Sequence, residues 1–120
     1  MRVTTDRNPK KYKIQGTVFL LEPASKDDLS KFYREAVYEM QNGDSTNVDP
    51  HMAEKIALKA KVKGWDETLL GDDDAPIPFN AGTAETILNN MDQSGRDELY
   101  MTIISPARNR AKLVATEKNA

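Results

Sequence analysis

The 120-residue chain has no cysteine and a single histidine, and it contains no long apolar run. Without cysteine, neither a disulfide framework nor a thiolate metal site can form. No stretch approaches the roughly 18 apolar residues that a membrane helix needs, so we predict no membrane span. The first thirteen residues are basic and polar and lack the apolar core of a signal peptide, which favours a cytoplasmic protein.

The residue patterns that usually carry catalysis are also missing. His51 has no serine nearby in a Gly-x-Ser-x-Gly nucleophile elbow, so we interpret it as an ordinary surface residue. The aspartates at 72–74 lack the alternating ligands and distal glutamate of a calcium loop, which predicts a solvated turn. No glycine-rich phosphate loop is present. The sequence therefore predicts a protein that is not an enzyme and has no catalytic, cofactor-binding or metal-binding residues.

Charge is unevenly spread along the chain. The net charge of −2 argues against a dedicated nucleic-acid binder, which usually carries a strong basic excess. Residues 1–13 carry +4 and residues 107–120 carry +3, which leaves −9 for residues 14–106. Two interpretations stay open: the basic ends steer the chain towards a charged protein surface, or they keep it soluble.

An N-terminal segment is rich in β-branched and aromatic residues. Tyr12, Ile14, Val18 and Leu20 fall on one face of a period-2 pattern, which predicts one or two short strands. Gly16 marks either a tight turn or a bulge between them. Two strands alone are marginally stable, so we expect them to pack on helices or to join a partner's sheet.

The first helix is predicted over about residues 26–42. Ser25 is a good N-cap, two aspartates in the first turn suit the helix dipole, and Asn42-Gly43 closes the helix. Its apolar positions follow helical spacing, at Leu29, Phe32, Tyr33, Ala36, Val37 and Met40.

A second helix is predicted to begin with Asp49 as N-cap and Pro50 at its first position, and to end near Val62 or Lys63. Met52, Ile56 and Ala60 lie on one face of it. We interpret the lysines at 55, 59, 61 and 63 as a solvated face rather than a phosphate site.

Residues 64–81 form a long connection, which in a small domain is usually functional or anchored by its own side chains. Its aromatic residues are either plugs that cover a helical core or hot-spot anchors for a partner, and both interpretations can hold together. The candidate anchors are Trp65, Leu69, Leu70, Ile77 and Phe79.

Two more helices follow. The third begins at Asn80 or, as a second choice, at Thr83, and runs to about Met91. The fourth begins at about Gly95 or Arg96 and continues to about residue 114. Pro106 lies inside it, and its missing donor and ring clash predict a kink or a split there.

In this order, the segments resemble those of the tail assembly chaperones of long-tailed bacteriophages and prophages. The resemblance covers roughly residues 18–112 and rests on a stretch of the form V-x-G/D-W … D-x-D/G-x-P-I/V-P-F-S/N. The matching residues are Phe19 to Ser25 before a helix, Val62-Lys63-Gly64-Trp65, the acidic turn Gly71 to Asp74, Pro76-Ile77-Pro78-Phe79-Asn80, and Ala107 to Ala111 at the end of the last helix.

The resemblance implies a non-enzymatic role. Such chaperones coat the long tape-measure protein before the tail tube polymerises, are displaced by tail-tube subunits and are absent from the finished virion. The implied partners are the tape-measure protein and the tail-tube protein, and copies are also expected to self-associate as dimers or rings. Two alternatives remain: a virion component such as a head–tail connector or tube-associated protein, and a small regulatory DNA-binding protein.

The sequence thus predicts a mainly α (α+β) fold, with a short N-terminal strand or hairpin followed by four to five helices in a small bundle. We divide it into a basic lead-in over 1–11, one helical domain over 12–116 and a frayed tail over 117–120. No cofactor, nucleic acid or membrane is expected as a partner. The predicted partner-binding residues are Trp65, Ile77, Phe79, Phe32, Tyr33 and Tyr100.

Overall fold

The computed structural model describes residues 8–42 and 51–114. Within these two ranges the chain forms a three-stranded antiparallel sheet, four α-helices and one 3₁₀ helix. The strands are β1 (Lys10–Ile14), β2 (Thr17–Leu21) and β3 (Val62–Trp65), in that order across the sheet. The helices are α1 (Lys26–Asn42), α2 (Met52–Lys61), α3 (Ala84–Asn89) and α4 (Gln93–Ile104), followed by the 3₁₀ helix Pro106–Lys112.

The predicted N-terminal strands form a hairpin closed by a two-residue turn. Gln15 and Gly16 both have positive φ, 50° and 86°, which is the type I′ geometry whose twist suits a hairpin. Of the two predictions for Gly16, the tight turn is therefore confirmed. β1 begins at Lys10, so the strand includes the last two residues of the predicted lead-in.

The predicted strand face was wrong for the second strand. Because the turn has two residues, Tyr12 lies opposite Phe19, and the inward face of β2 carries Phe19 and Leu21. Val18 and Leu20 point to the other side of the sheet, where they are half-buried. A count of alternate residues carried straight through the turn misses this change of register.

The third strand was not predicted. Val62–Trp65 follows α2 without a loop, and the backbone turns to an extended conformation at Val62. The segment is four residues long and contains a lysine and a glycine, so its sequence carries no clear β pattern. Its strand conformation depends on pairing with β2, where Phe19 lies opposite Trp65.

The fold is α+β, and the prediction of a mainly α chain in a small helical bundle is wrong. Five of the nine residues in the core cluster come from strands, so the sheet forms one side of the core and α2, α3 and α4 cover it. The strand members are Tyr12, Ile14, Phe19, Leu21 and Val62, and the helical members are Leu58, Leu88, Leu99 and Ile103.

α1 confirms the first predicted helix. Its N-terminus is a reciprocal cap: the Ser25 hydroxyl accepts the Asp28 N–H at 3.0 Å, and the Asp28 carboxylate accepts the Ser25 N–H at 2.9 Å. The buried stripe is narrower than predicted, because α1 packs chiefly against α2. Phe32 and Ala36 are buried, whereas Tyr33 is exposed. The side chain of Met40, like Gly43, lies outside the described residues.

The other helix boundaries were partly predicted. The expected caps Asp49 and Pro50 lie outside the described residues, and the described part of α2 begins at Met52. α3 begins after Thr83, the second choice. Asn80 instead stabilises the preceding turn, where its side chain accepts the Gly82 N–H at 2.7 Å.

Pro106 splits the last helix, as predicted. α4 ends at Ile104, and Pro106 opens the 3₁₀ helix, where its missing N–H costs nothing. Leu113 then bridges to Tyr12, and the Val114 N–H donates to the Lys11 carbonyl at 2.9 Å. The C-terminal end of the described chain therefore lies along the outer edge of β1.

Candidate partner-binding groove

α1 and α2 enclose an open groove of about 780 Å³, which α3 closes at one end. One wall is the side of α1 that carries Tyr38, a residue with 64% of its surface exposed. The facing wall is α2. The lining residues from α1 and α2 recur at three- and four-residue intervals, so each helix contributes one continuous stripe to the groove.

The α2 wall of the groove carries an apolar stripe. Met52, Ile56 and Ala60 follow each other at four-residue spacing along α2, and all three are half-buried. They lie outside the core cluster, to which α2 contributes Leu58 on another side of the helix. An apolar stripe that the core leaves partly exposed is the kind of surface that a partner covers.

The rim of the groove carries charges of both signs. Lys31 and Glu35 are 3.9 Å apart on α1, and Lys59 of α2 lies 3.6 Å from Glu85 of α3. These side chains are 46–65% exposed, so their ion pairs contribute little to stability. They remain available to exchange partners when a second surface approaches.

A buried lysine fixes the N-terminal end of α1 against the rest of the fold. The Lys61 ammonium lies 2.9 Å from the Asp28 carboxylate and 3.3 Å from the Glu22 carboxylate. The Ser25 backbone hydrogen bond, together with Lys61, lowers the pKa of Asp28 to about 2. The prediction that Lys61 belongs to a solvated face is wrong, because this residue ties α1, α2 and the end of β2 together.

A polar cluster fixes α2 against the start of α4. The Glu54 side chain is buried and accepts two hydrogen bonds from the Gln93 amide, at 2.9 and 3.2 Å. The same amide donates to Asp97 at 2.6 Å, and the Arg96 Nε lies 3.7 Å from Glu54. His51, the N-cap residue of α2, approaches Glu54 to 3.8 Å, with 43% of its side chain exposed.

The pKa values of the two carboxylates in this cluster are shifted in opposite directions. Burial raises the pKa of Glu54, and the adjacent Asp97 raises it further, against the opposing hydrogen bond from Gln93. The pKa of Asp97 is lowered, first by the Gln93 hydrogen bond. Because Gln93, Arg96 and Asp97 of α4 all lie against Glu54 of α2, the cluster joins these two helices.

The aromatic loop after β3 is anchored on the fold. The Trp65 indole N–H donates to the Ile77 carbonyl at 2.7 Å. The Trp65 ring packs edge-on against Phe79, with centroids 4.9 Å apart, and against Phe19 at 6.3 Å. Trp65 therefore packs against the core cluster, which is one of the two roles considered for it, whereas Phe79 contacts Trp65 and is not part of the cluster.

The six predicted partner-binding residues do not form one surface. Trp65, Ile77 and Phe79 meet in the anchored loop, where each is half-buried. Phe32 is only 4% exposed and lines the bottom of the groove, and Tyr33 is 69% exposed but outside the groove lining. Tyr100 is half-buried on α4.

Tyr38 and the α2 stripe are the residues that the prediction missed as binding candidates. The four-residue spacing of Met52, Ile56 and Ala60 was visible in the sequence, but it reads equally well as a core face. Tyr38 falls outside the apolar stripe of α1, so spacing alone gave no reason to select it. Only the packing of α1 beside α2 places these side chains around one cavity.

Comparisons of the chain with protein-family models, with curated proteins and with solved structures found no match. No helix among the described residues is long and apolar enough to cross a membrane. The fold and the groove therefore stand on the geometry of this chain alone.

Proposed function

We propose that this protein is a phage tail assembly chaperone that binds an amphipathic helix of the tape-measure protein in the α1–α2 groove. The observation that carries the proposal is the half-exposed apolar stripe on α2, which faces a second helix across an open cavity. The sequence resemblance to such chaperones supports the choice of partner. The protein acts in the host cytoplasm, without catalysis, and leaves before the virion is complete.

The shape of the groove suits a helix as its occupant. Grooves between two helices accept an amphipathic helix whose apolar side chains recur at three- and four-residue spacing. From Met52 to Ala60 the stripe spans nine residues, a rise of about 12 Å, which matches about two turns of a partner helix. The charged rim then pairs with polar residues on the flanks of that helix.

A groove of this length supports reversible binding. Two helical turns bury a small area, so one copy binds weakly, and many copies along one rod gain affinity through multivalency. An incoming tail-tube subunit can then displace the copies one at a time. A bare tape-measure rod exposes apolar stripes that would otherwise aggregate.

The test is co-expression with the tape-measure protein encoded in the same tail gene cluster. We expect the wild-type chain to keep that protein soluble and to co-purify with it. Ile56→Glu places a charge in the middle of the apolar stripe, so both effects should be lost. The matched control is Met101→Glu, which adds the same charge at an apolar residue of α4 that is 45% exposed and outside the groove.

Two results would contradict the proposal. If wild-type chain leaves the tape-measure protein as insoluble as before, the chaperone role fails. If Ile56→Glu folds normally by circular dichroism and still co-purifies with the tape-measure protein, the groove is not the binding surface. Mass spectrometry of purified particles checks the last step, since a virion component would persist there and a chaperone would not.

A further inference from the structure

A second hollow, of about 740 Å³, opens between the hairpin turn, the loop after β3 and the junction of α3 and α4. It shares no lining residue with the α1–α2 groove, although α3 contributes to both cavities. Glu85 and Asn89 of α3 line the groove. Thr86 and Ile87 of the same helix line the hollow instead. The two cavities can therefore be altered by separate substitutions.

Contacts within the chain hold the lining of the hollow in place. The Gln15 side-chain amide donates to the Ser94 hydroxyl at 2.9 Å, which fixes the hairpin turn beside the start of α4. The Ile77 N–H donates to the Leu69 carbonyl at 2.9 Å, which brings the two ends of the loop together. A partner would therefore meet a preformed surface, which lowers the entropic cost of binding.

Much of the lining is apolar and incompletely covered. Leu70 is 49% exposed. Ile14 and Phe19 are buried and also line the hollow, so it opens onto the core cluster. The other apolar lining residues are half-buried, namely Leu69, Ile77, Ile87 and Met91. An apolar surface of this kind is one that a partner typically covers.

The charge of this region has one sign only. Residues 66–95 contain seven carboxylates and no lysine, arginine or histidine, and the turn that lines the rest of the hollow adds no basic residue. Asp72 and Asp92 are the charged lining residues, and both are exposed. Within the described ranges neither carboxylate forms an ion pair or accepts a hydrogen bond. Such a surface attracts a cationic ligand.

We propose that this hollow binds a segment of another protein in which apolar side chains lie between lysines or arginines. The apolar side chains cover Leu70, Ile87 and Met91, and the flanking cations meet Asp72 and Asp92. A small cation without an apolar part would leave the apolar lining exposed. An uncharged apolar segment would remove water from the two carboxylates without replacing it by a cation, which is unfavourable.

The experiment is calorimetric titration of the full chain with a defined probe, the peptide acetyl-Lys-Lys-Leu-Leu-Lys-Lys-amide, at an ionic strength of roughly 0.05 M. The matched peptide replaces both leucines by serine and keeps the charge. We expect the leucine peptide to bind about tenfold or more tightly than the serine peptide, because only its side chains cover the apolar lining. Spermidine, a cation without an apolar part, should bind about as weakly as the serine peptide.

Two substitutions locate the site on the chain. The double variant Asp72→Asn, Asp92→Asn should bind the leucine peptide about tenfold more weakly, and asparagine preserves the N-cap position before α4. Leu70→Ser should weaken binding about fivefold. The matched control is Asp27→Asn, Glu39→Gln, which removes two exposed carboxylates of α1 outside the hollow and should bind within about twofold of wild type. Circular dichroism verifies that each variant folds.

The proposal is overturned if the leucine peptide binds no more tightly than the serine peptide or spermidine. It is also overturned if the hollow variants bind the leucine peptide like wild type, or if the α1 control loses as much affinity as the hollow double variant. If the leucine peptide does not bind and the hollow double variant instead changes the sedimentation of the chain, the hollow is a contact between copies. Ile56→Glu should bind the peptide normally, so failure here is distinguishable from failure of the groove.

Discussion

Apolar side chains lie in both the Trp65 loop and the α1–α2 groove, but they differ in how many of their contacts are made within the chain. In the loop, the indole N–H has its acceptor and the ring has two aromatic neighbours, so its interactions are made within the chain. In the groove, Ile56 and its neighbours are half-buried without belonging to the core. The comparison teaches that an aromatic motif in a sequence marks stability as readily as binding, and that the groove is the better binding candidate.

The largest expected effect on stability comes from removing the Trp65 side chain. Trp65→Ala removes the contacts with Phe19 and Phe79 and leaves the Ile77 carbonyl without its donor. For a half-buried tryptophan we expect a loss of about 2–4 kcal/mol in the free energy of unfolding, measured with urea. Tyr33→Ala is the control, and it should change stability by less than about 0.5 kcal/mol. A Trp65→Ala variant as stable as wild type would show that the Trp65 contacts do not stabilise the fold.

An intermediate effect on stability is expected from pH. Asp28, which holds the start of α1 against Lys61, is a titratable group. The folded pKa of Asp28 is depressed to about 2, so its contribution is present above the unfolded value of about 4 and is lost as pH falls towards 2. That contribution is roughly 1–2 kcal/mol after allowance for its partial exposure. The pKa of Glu54 is raised instead, so ionisation of this carboxylate with rising pH lowers the free energy of unfolding.

The measurement is the difference in unfolding free energy between wild type and Asp28→Asn, followed from pH 7 to about pH 2. The difference should be largest at neutral pH and should shrink below about pH 4. A difference that stays constant over this range would show that the carboxylate charge contributes nothing through Lys61 and Ser25.

The smallest stability effect is expected in the groove itself. Ile56→Ala should cost about 1 kcal/mol or less, because its side chain is already partly exposed. The same variant should weaken tape-measure binding much more than Trp65→Ala does at a temperature where both are folded. If Ile56→Ala instead destabilises the chain as much as Trp65→Ala, the stripe belongs to the core and does not differ from the Trp65 loop in its role.

Local signals predicted much of the secondary structure, for identifiable reasons. The Ser25 cap with Asp28, the hairpin turn at Gly16 and the break at Pro106 depend on residues within one turn of each other. β3 escaped prediction because its conformation depends on pairing with β2, about forty residues away. The misassigned face of β2 has the same origin, since register is a relation between two strands.

By itself, the sequence determined where α1 begins, where the hairpin turns, where Pro106 breaks the last helix and which segments carry each sign of charge, because capping, turn geometry and composition act locally. Only the tertiary structure decided what those segments do. It buried Lys61 as an anchor, used Trp65 to close the core and left the α2 stripe open beside α1. It also placed the chain around Leu113 and Val114 beside Lys11 and Tyr12 at the edge of the sheet. These outcomes depend on contacts between residues far apart in the chain, which no local pattern specifies.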